Sequence, residues 1–180
     1  MTSPRIELVD DFRLSPEERE EIRVLLAESF PEEDFVQTRT YLKQVPTRRL
    51  LARDGDRLVA HAGVEHRVVG TESGAIPILG LIEVCVTTSA RGQGLGSHLV
   101  TWTEELAREN DIEFLVLFAA DHRLYERLGF QHETNVLRWA MIHEHQLIGL
   151  DEQPLDELMV KPLSDRPWPG GTIDLLGYQF

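Results

Sequence analysis

The chain has 180 residues, 42% of them hydrophobic and 27% charged, which fits one globular domain able to bury its own core. Its formal net charge is −13, from 31 acidic against 18 basic residues, and no dense Lys/Arg run offsets it, so nucleic acid and anionic membrane are repelled. The single cysteine, Cys85, excludes an intrachain disulfide and a cysteine zinc cluster and favours a reducing compartment.

The N-terminal stretch MTSPRIELVDDFRLSPEERE has neither a basic n-region nor an apolar h-region, so no signal peptide is read there. The longest apolar stretch, residues 75–86, is broken by Pro77 and Glu83 and is too short to span a bilayer. A cytoplasmic protein is the expectation. Residues 5–9 alternate weakly, as a first edge strand would. Ser15, Pro16 and Glu18 then form a strong helix start, with serine as cap, proline at the first helical position and glutamate closing a capping box. Ile22, Leu25, Leu26 and Phe30 make one apolar face, and Pro31 stops the helix. A second helix is expected over about residues 34–44, burying Phe35, Leu42 and Val45.

Asp54-Gly55-Asp56 reads as the turn of a β-hairpin, because Asp-Gly tolerates the positive backbone angles that tight hairpins need. Its second strand reaches Val69, and a turn over residues 70–74 leads to a strand over 78–86. Residues 97–109 read as a helix with Leu99, Val100, Leu106 and Ala107 on its apolar stripe. The continuous apolar run 112–118 reads as a buried strand. Asp121 can cap a short helix through Leu128, ended by Gly129. Residues 135–142 form another strand, 143–151 are undecided, and 155–160 and 171–176 read as short final strands around a Pro-Trp-Pro-Gly-Gly corner. The sum is an α+β (mixed α/β) chain whose mostly antiparallel sheet carries helices on both faces.

The chemistry centres on residues 79–96, LGLIEVCVTTSARGQGLG, an apolar strand followed by a glycine-rich loop and a helix. A Walker A loop would close with Gly-Lys-Ser/Thr, but Gly96 is followed by Ser97-His98. A dinucleotide fingerprint would need glycine at Ser97 and an acid at the end of the next strand, and both are missing. What remains is R-x-x-G-x-G, carried by Arg91, Gly94 and Gly96. Three glycines let the backbone turn successive N–H groups toward an anion at a helix N-terminus, where the dipole adds roughly half a positive charge. A pyrophosphate is the expected guest.

At this motif the chain resembles the GNAT superfamily of N-acetyltransferases. Residues 81–86 match the family's splayed central strand. Leu124-Tyr125-Glu126-Arg127-Leu128-Gly129-Phe130 matches its Leu-Tyr-x-x-x-Gly-Phe signature at the proper spacing, so the likeness covers about residues 57–130. The family's Asn and Ala on the way to that tyrosine are replaced by Phe118 and by Asp121 or His122. Looser similarities run to aminoglycoside 2′-N-acetyltransferases, around residues 60–67 and 82–84, and to nodulation-type acyltransferases at the Trp168 corner.

The resemblance implies a single acyltransferase domain over 1–180, with a coenzyme-binding core of about 78–130 and C-terminal strands of about 135–180. It implies acetyl-CoA as acyl donor, held by Cys85 and Val86 through the strand backbone and by Arg91, Gly92, Gln93, Gly94, Leu95, Gly96 and Ser97 at the loop. The acceptor is expected to be an amine on a small, cationic or sugar-like molecule, attacked directly and without a covalent enzyme intermediate. A longer acyl-CoA, or a non-catalytic acyl-CoA sensor, is the alternative.

By the same resemblance Tyr125 is the general acid for the departing thiolate, a role suited to a phenol with ordinary pKa near 10. Glu83 stands in an apolar strand, where an acid is costly to bury without a purpose. It can take the ammonium proton, face a solvent-filled cleft, or pair with a histidine or arginine. A strand amide near Cys85–Val86 would polarise the thioester carbonyl. Cys85 itself reads as an inert core thiol. Asp174 and Trp168 are candidates for the acceptor side. The histidines show no metal-ligand spacing, so no metal is expected. Exposed strand ends near the C-terminus are compatible with a homodimer.

Overall fold

A computed structural model describes residues 4–180 and divides the chain into two units. One comprises the chain up to Glu65 together with Leu81–Trp102, the other His66–Gly80 with Thr103–Phe180. Met1 to Ser3, where the polar N-terminal stretch begins, lie outside the described residues. The architecture is mixed α/β.

In the first unit, strand β1 (Arg5–Asp10) pairs antiparallel with β2 (Arg48–Asp54), and β2 with β3 (Arg57–Thr71). Gly55, at φ +60°, makes the two-residue connection that Asp-Gly announced. Helix α1 (Pro16–Ser29) starts with the expected capping box. The Ser15 hydroxyl accepts from the Glu18 N–H at 3.1 Å, and the Glu18 carboxylate accepts from the Ser15 N–H at 2.8 Å. Ile22, Leu25 and Leu26 of α1 pack with Phe35, Val36, Leu51, Leu58 and Cys85 in one apolar cluster.

The helix expected over 34–44 is only a 3₁₀ turn, Asp34–Gln37. Beyond it the backbone groups that a helix would pair internally are spent elsewhere. The Thr40 carbonyl accepts from Arg49, and the Leu42 N–H donates to Glu83. Phe35 is buried as expected, but Leu42 and Val45 are 43% and 45% exposed.

Strand β4 (Gly74–Val86) delivers its residues 81–86 to the same unit and leads through a 3₁₀ turn, Thr88–Ala90, into helix α2 (Leu95–Glu109). At Gly63 of β3 a Cβ would sit 2.5 Å from the Ile82 side chain, so glycine there is what lets β3 pass this part of β4.

The second unit has the strand order β6-β9-β5-β4-β3-β10-β7-β8. Its new members are β5 (Phe114–Phe118), β6 (Gln131–His132), β7 (Val136–His143), β8 (Gln146–Pro154), β9 (Leu158–Pro162) and β10 (Thr172–Tyr178). β10 runs parallel to β7 and antiparallel to β3. The undecided stretch after residue 142 is the β7–β8 hairpin, turned by Glu144 and His145 at φ +42° and +62°. The short helix α3 (Arg123–Arg127) follows Asp121, whose carboxylate accepts from the Arg123 N–H at 3.1 Å, and Gly129 ends it at φ +87°. Phe114, Val116, Trp139, Val160 and Ile173 lie in this unit's apolar core. Among the described residues no helix is long and apolar enough to cross a membrane.

Candidate functional site

The glycine loop lies in the first unit and has the backbone its sequence demands. Gly92 and Gly94 stand at φ +77° and +81°, a conformation that costs any side-chain-bearing residue about 1 kcal/mol or more. A Cβ on either would meet nothing within 4 Å, so the loop presents open space beside bare backbone. The His98 N–H makes its helical bond to the Gly94 carbonyl at 3.0 Å, which leaves the N–H groups of Leu95, Gly96 and Ser97 outside the helix ladder. Those three donors, the positive dipole end of a 15-residue helix and exposed Arg91 fit a pyrophosphate. The loop is braced from within: Arg91 Nε donates to the Val86 carbonyl at 3.1 Å and the Gln93 amide to the Ser89 carbonyl at 3.4 Å. Glu28 of α1 braces its entrance, accepting from the Thr87 hydroxyl at 3.0 Å and the Thr88 N–H at 2.5 Å. Nothing near the motif announces Glu28, which lies 59 residues before Thr87.

Upstream on β4, Glu83 adopts φ +50°, a left-handed kink rare for a residue with a side chain. Its carboxylate is 9% exposed. Oε1 accepts the Leu42 N–H at 3.0 Å, while Oε2 is shielded from solvent and accepts no hydrogen bond, with Arg49 Nη1 3.5 Å away. Burial pushes this carboxyl up to about 7, opposed by the Arg49 charge and the Leu42 bond and reinforced by Asp11 and Glu65. The structure thus shows a largely buried carboxylate with an arginine at ion-pair distance.

Arg49 is the residue that sequence reasoning missed. Fully buried on β2, it donates to Asp11 at 2.6 Å, to the Thr40 carbonyl at 2.9 Å and to His61 Nε2 at 3.0 Å. Asp11 is held in turn by Arg19 at 3.1 Å. Cys85 is buried and free, its thiol pushed up to about 12 chiefly by burial, with the Glu83 charge adding to it. That agrees with an inert side chain.

The other candidates belong to the second unit. Tyr125 sits half-buried on α3, its ring edge-on to Phe130 at 5.7 Å. Burial, and then the charge of Asp121, raise its phenol above the usual value. Trp168 donates its indole N–H to Asn135 at 2.8 Å and meets Phe114 edge-on at 5.1 Å. Asp174 accepts the Leu176 N–H at 2.8 Å and stands 3.6 Å from Arg138. Glu83, Cys85, Val86 and the loop thus share one unit. Tyr125, Trp168 and Asp174 have separate neighbours in the other. No group of three or more His, Cys, Asp and Glu among the described residues could hold a metal ion.

A family model described as an acetyltransferase (GNAT) domain matches residues 13–132. An uncharacterized N-acetyltransferase of Streptomyces avermitilis is 28% identical over 133 residues, which are 73% of this chain and 29% of that protein, so the chain spans under a third of its curated relative's length. Among solved structures, the GNAT family N-acetyltransferase YhbS of Escherichia coli, in complex with CoA, superposes with a TM-score of 0.65 at 20% identity, over 97% of this chain and 91% of that one. An aminoglycoside 6′-N-acetyltransferase complexed with coenzyme A gives a TM-score of 0.60 at 18% identity, over 90% and 99% of the two chains. At these identities the structural likeness speaks for the fold.

Proposed function

The chain belongs to the GNAT acetyltransferase family, and from that membership we propose that it transfers the acetyl group of acetyl-CoA to the amine of a small acceptor, with Glu83 as general base. The observation that carries this reading is the Glu83 carboxylate: buried, tied at one oxygen, free of hydrogen bonds at the other, and titrating near 7. A base works best when its pKa lies near the operating pH, and burial has brought this one there. Two solved structures that share the fold are complexes with coenzyme A, which supports the same guest here.

Acetyl-CoA supplies an activated thioester. On our reading the N–H donors of Leu95, Gly96 and Ser97, with Arg91, Gly92, Gln93 and Gly94, grip its pyrophosphate. The backbone amides of Cys85 and Val86, just past the kink at Glu83, pair on this reading with the pantetheine arm and stabilise the carbonyl oxygen as it gains charge. Glu83 Oε2 takes a proton from the acceptor's ammonium, making the amine a nucleophile that attacks the thioester carbon directly. Tyr125 gives its phenolic proton to the departing thiolate and recovers one from the acylated nitrogen as the amide forms; its raised pKa keeps that proton in place at neutral pH. Asp174 and Trp168, whose polar groups are engaged within their own unit, have no step in this scheme.

Thermal shift with acetyl-CoA, followed by free-thiol release across a panel of amines and of acyl-chain lengths, tests the proposal. Stabilisation by coenzyme A together with thiol release on addition of an amine is the expected result. Stabilisation by NAD or ATP but not coenzyme A would overturn it, and binding with no turnover on any amine would leave a sensor instead.

A further inference from the structure

Glu83 is held in a backbone conformation that its side chain disfavours, and a buried chain of contacts beginning at Arg49 leads to it. A guanidinium can only donate, so where Arg49 Nη1 meets His61 Nε2 at 3.0 Å the imidazole nitrogen must accept. A protonated imidazole would place an N–H there and repel it. A neutral one with its proton on Nε2 would do the same. The contact therefore admits a single state: neutral, with the proton on Nδ1. That Nδ1 lies 3.2 Å from the Glu83 carbonyl and 3.9 Å from Cys85 Sγ, and the carbonyl is the acceptor in reach.

We propose that Arg49 and His61 are positioning residues for Glu83, Arg49 fixing the imidazole as the neutral Nδ1–H tautomer and His61 using that proton to hold the Glu83 carbonyl in the left-handed kink. The inference rests on Glu83 as the base and adds how it is aimed. One end of the relay sets the backbone of Glu83 through its carbonyl, while the same arginine stands 3.5 Å from Glu83 Oε2. Backbone and carboxylate are thus fixed from one fully buried side chain. Arg49 is anchored by Asp11 and by the Thr40 carbonyl and hydroxyl, so it cannot swing away from either task. The same surroundings favour the neutral ring: burial, and next the charge of Arg49, hold His61 down near 3.

The charged and titratable groups that bear on Glu83 are Arg49 on β2, Asp11 in the turn after β1, and His61 and Glu65 on β3. Cys85, on Glu83's own strand, keeps its proton. Any change of pH dependence on altering His61 is read against that set.

Two measurements test the relay. Long-range ¹H–¹⁵N NMR of the imidazole nitrogens in the unaltered protein should show His61 as the Nδ1–H tautomer, unprotonated down to about pH 5. An Nε2–H tautomer, or titration near the ordinary histidine value, would overturn the proposal. This arm needs no turnover, so it stands or falls apart from the catalytic reading. The second arm uses His61→Leu and His61→Gln. Leucine fills space without donor or acceptor, whereas glutamine offers one of each, to the Glu83 carbonyl and to Arg49. The leucine variant should lose about 10- to 100-fold in kcat with the KM for acetyl-CoA unchanged, and glutamine should restore most of it. Equal kcat in both variants would refute the positioning role. An unaffected rate in Glu83→Gln would instead remove the base and leave the tautomer result intact.

Discussion

The burial of Glu83 carries a folding cost that a pH titration can read, and Glu83→Gln isolates it. The carboxyl is raised from 4.5 to about 7, which at about 1.4 kcal/mol per tenfold change in proton affinity amounts to about 3 kcal/mol. Between those values the folded chain binds more protons than the unfolded one, so this contribution is fully present below about 4.5 and is lost as pH rises through about 7. His61 acts in the opposite sense. Its imidazole is lowered to about 3, so its contribution is complete above the ordinary value of 6.5 and is lost as pH falls toward 3. The two largely cancel in the unaltered protein, and only the difference between the protein and its variant shows the carboxylate. Glutamine keeps an oxygen for the Leu42 N–H and cannot ionise. Urea denaturation at a series of pH values should show the variant gaining about 3 kcal/mol on the parent between about pH 4.5 and pH 8. Stability curves that run parallel over that range would refute the reasoning, because they would mean that Glu83 pays nothing to ionise.

Three further outcomes are expected. Gly94→Val puts a β-branched residue at φ +81° in open space, so the fold should survive at a cost of about 1–3 kcal/mol while coenzyme A binding, read by calorimetry, disappears. A normal isotherm would contradict the loop assignment. Tyr125→Phe should lower kcat by about 10²- to 10⁴-fold at near-unchanged coenzyme affinity in a thiol-release assay, and full activity would remove Tyr125 as the acid. Asn135→Ala strips three hydrogen bonds at once, to the Pro169 and Gly171 carbonyls and from the Trp168 indole. It should cost about 2–4 kcal/mol in urea denaturation, and a loss near zero would show that water replaces the side chain.

Much of this was legible before any coordinate. The capping box of Ser15 and Glu18, the turn at Gly55 and the positive φ angles of Gly92 and Gly94 are local consequences of local sequence. So was the oddity of an acid at position 83. What escaped has a common cause. Arg49 reads as any cation in a strand, because the partners that give it meaning, Asp11 and His61, lie 38 and 12 residues away. His61 showed no metal spacing, and its real neighbour is a backbone carbonyl with no residue signature. The β7–β8 turn uses Glu144 and His145 at positive φ, where sequence rules look for Asn or Gly. The helix expected after Asp34 failed because Thr40 and Leu42 give their backbone groups to Arg49 and Glu83, a competition that local propensity does not register.

The shielding of Glu83 Oε2 has one more consequence, for economy of the acyl donor. A carboxylate that could abstract a proton from an amine could equally activate water, and acetyl-CoA would then be hydrolysed whenever no acceptor was at hand. In this protein Oε2 is closed to solvent and Oε1 is tied to the backbone at Leu42, so a base acting through Oε2, as we propose, is kept from bulk water. On that proposed role, the packing that raises the carboxyl's pKa would also hold off idle turnover.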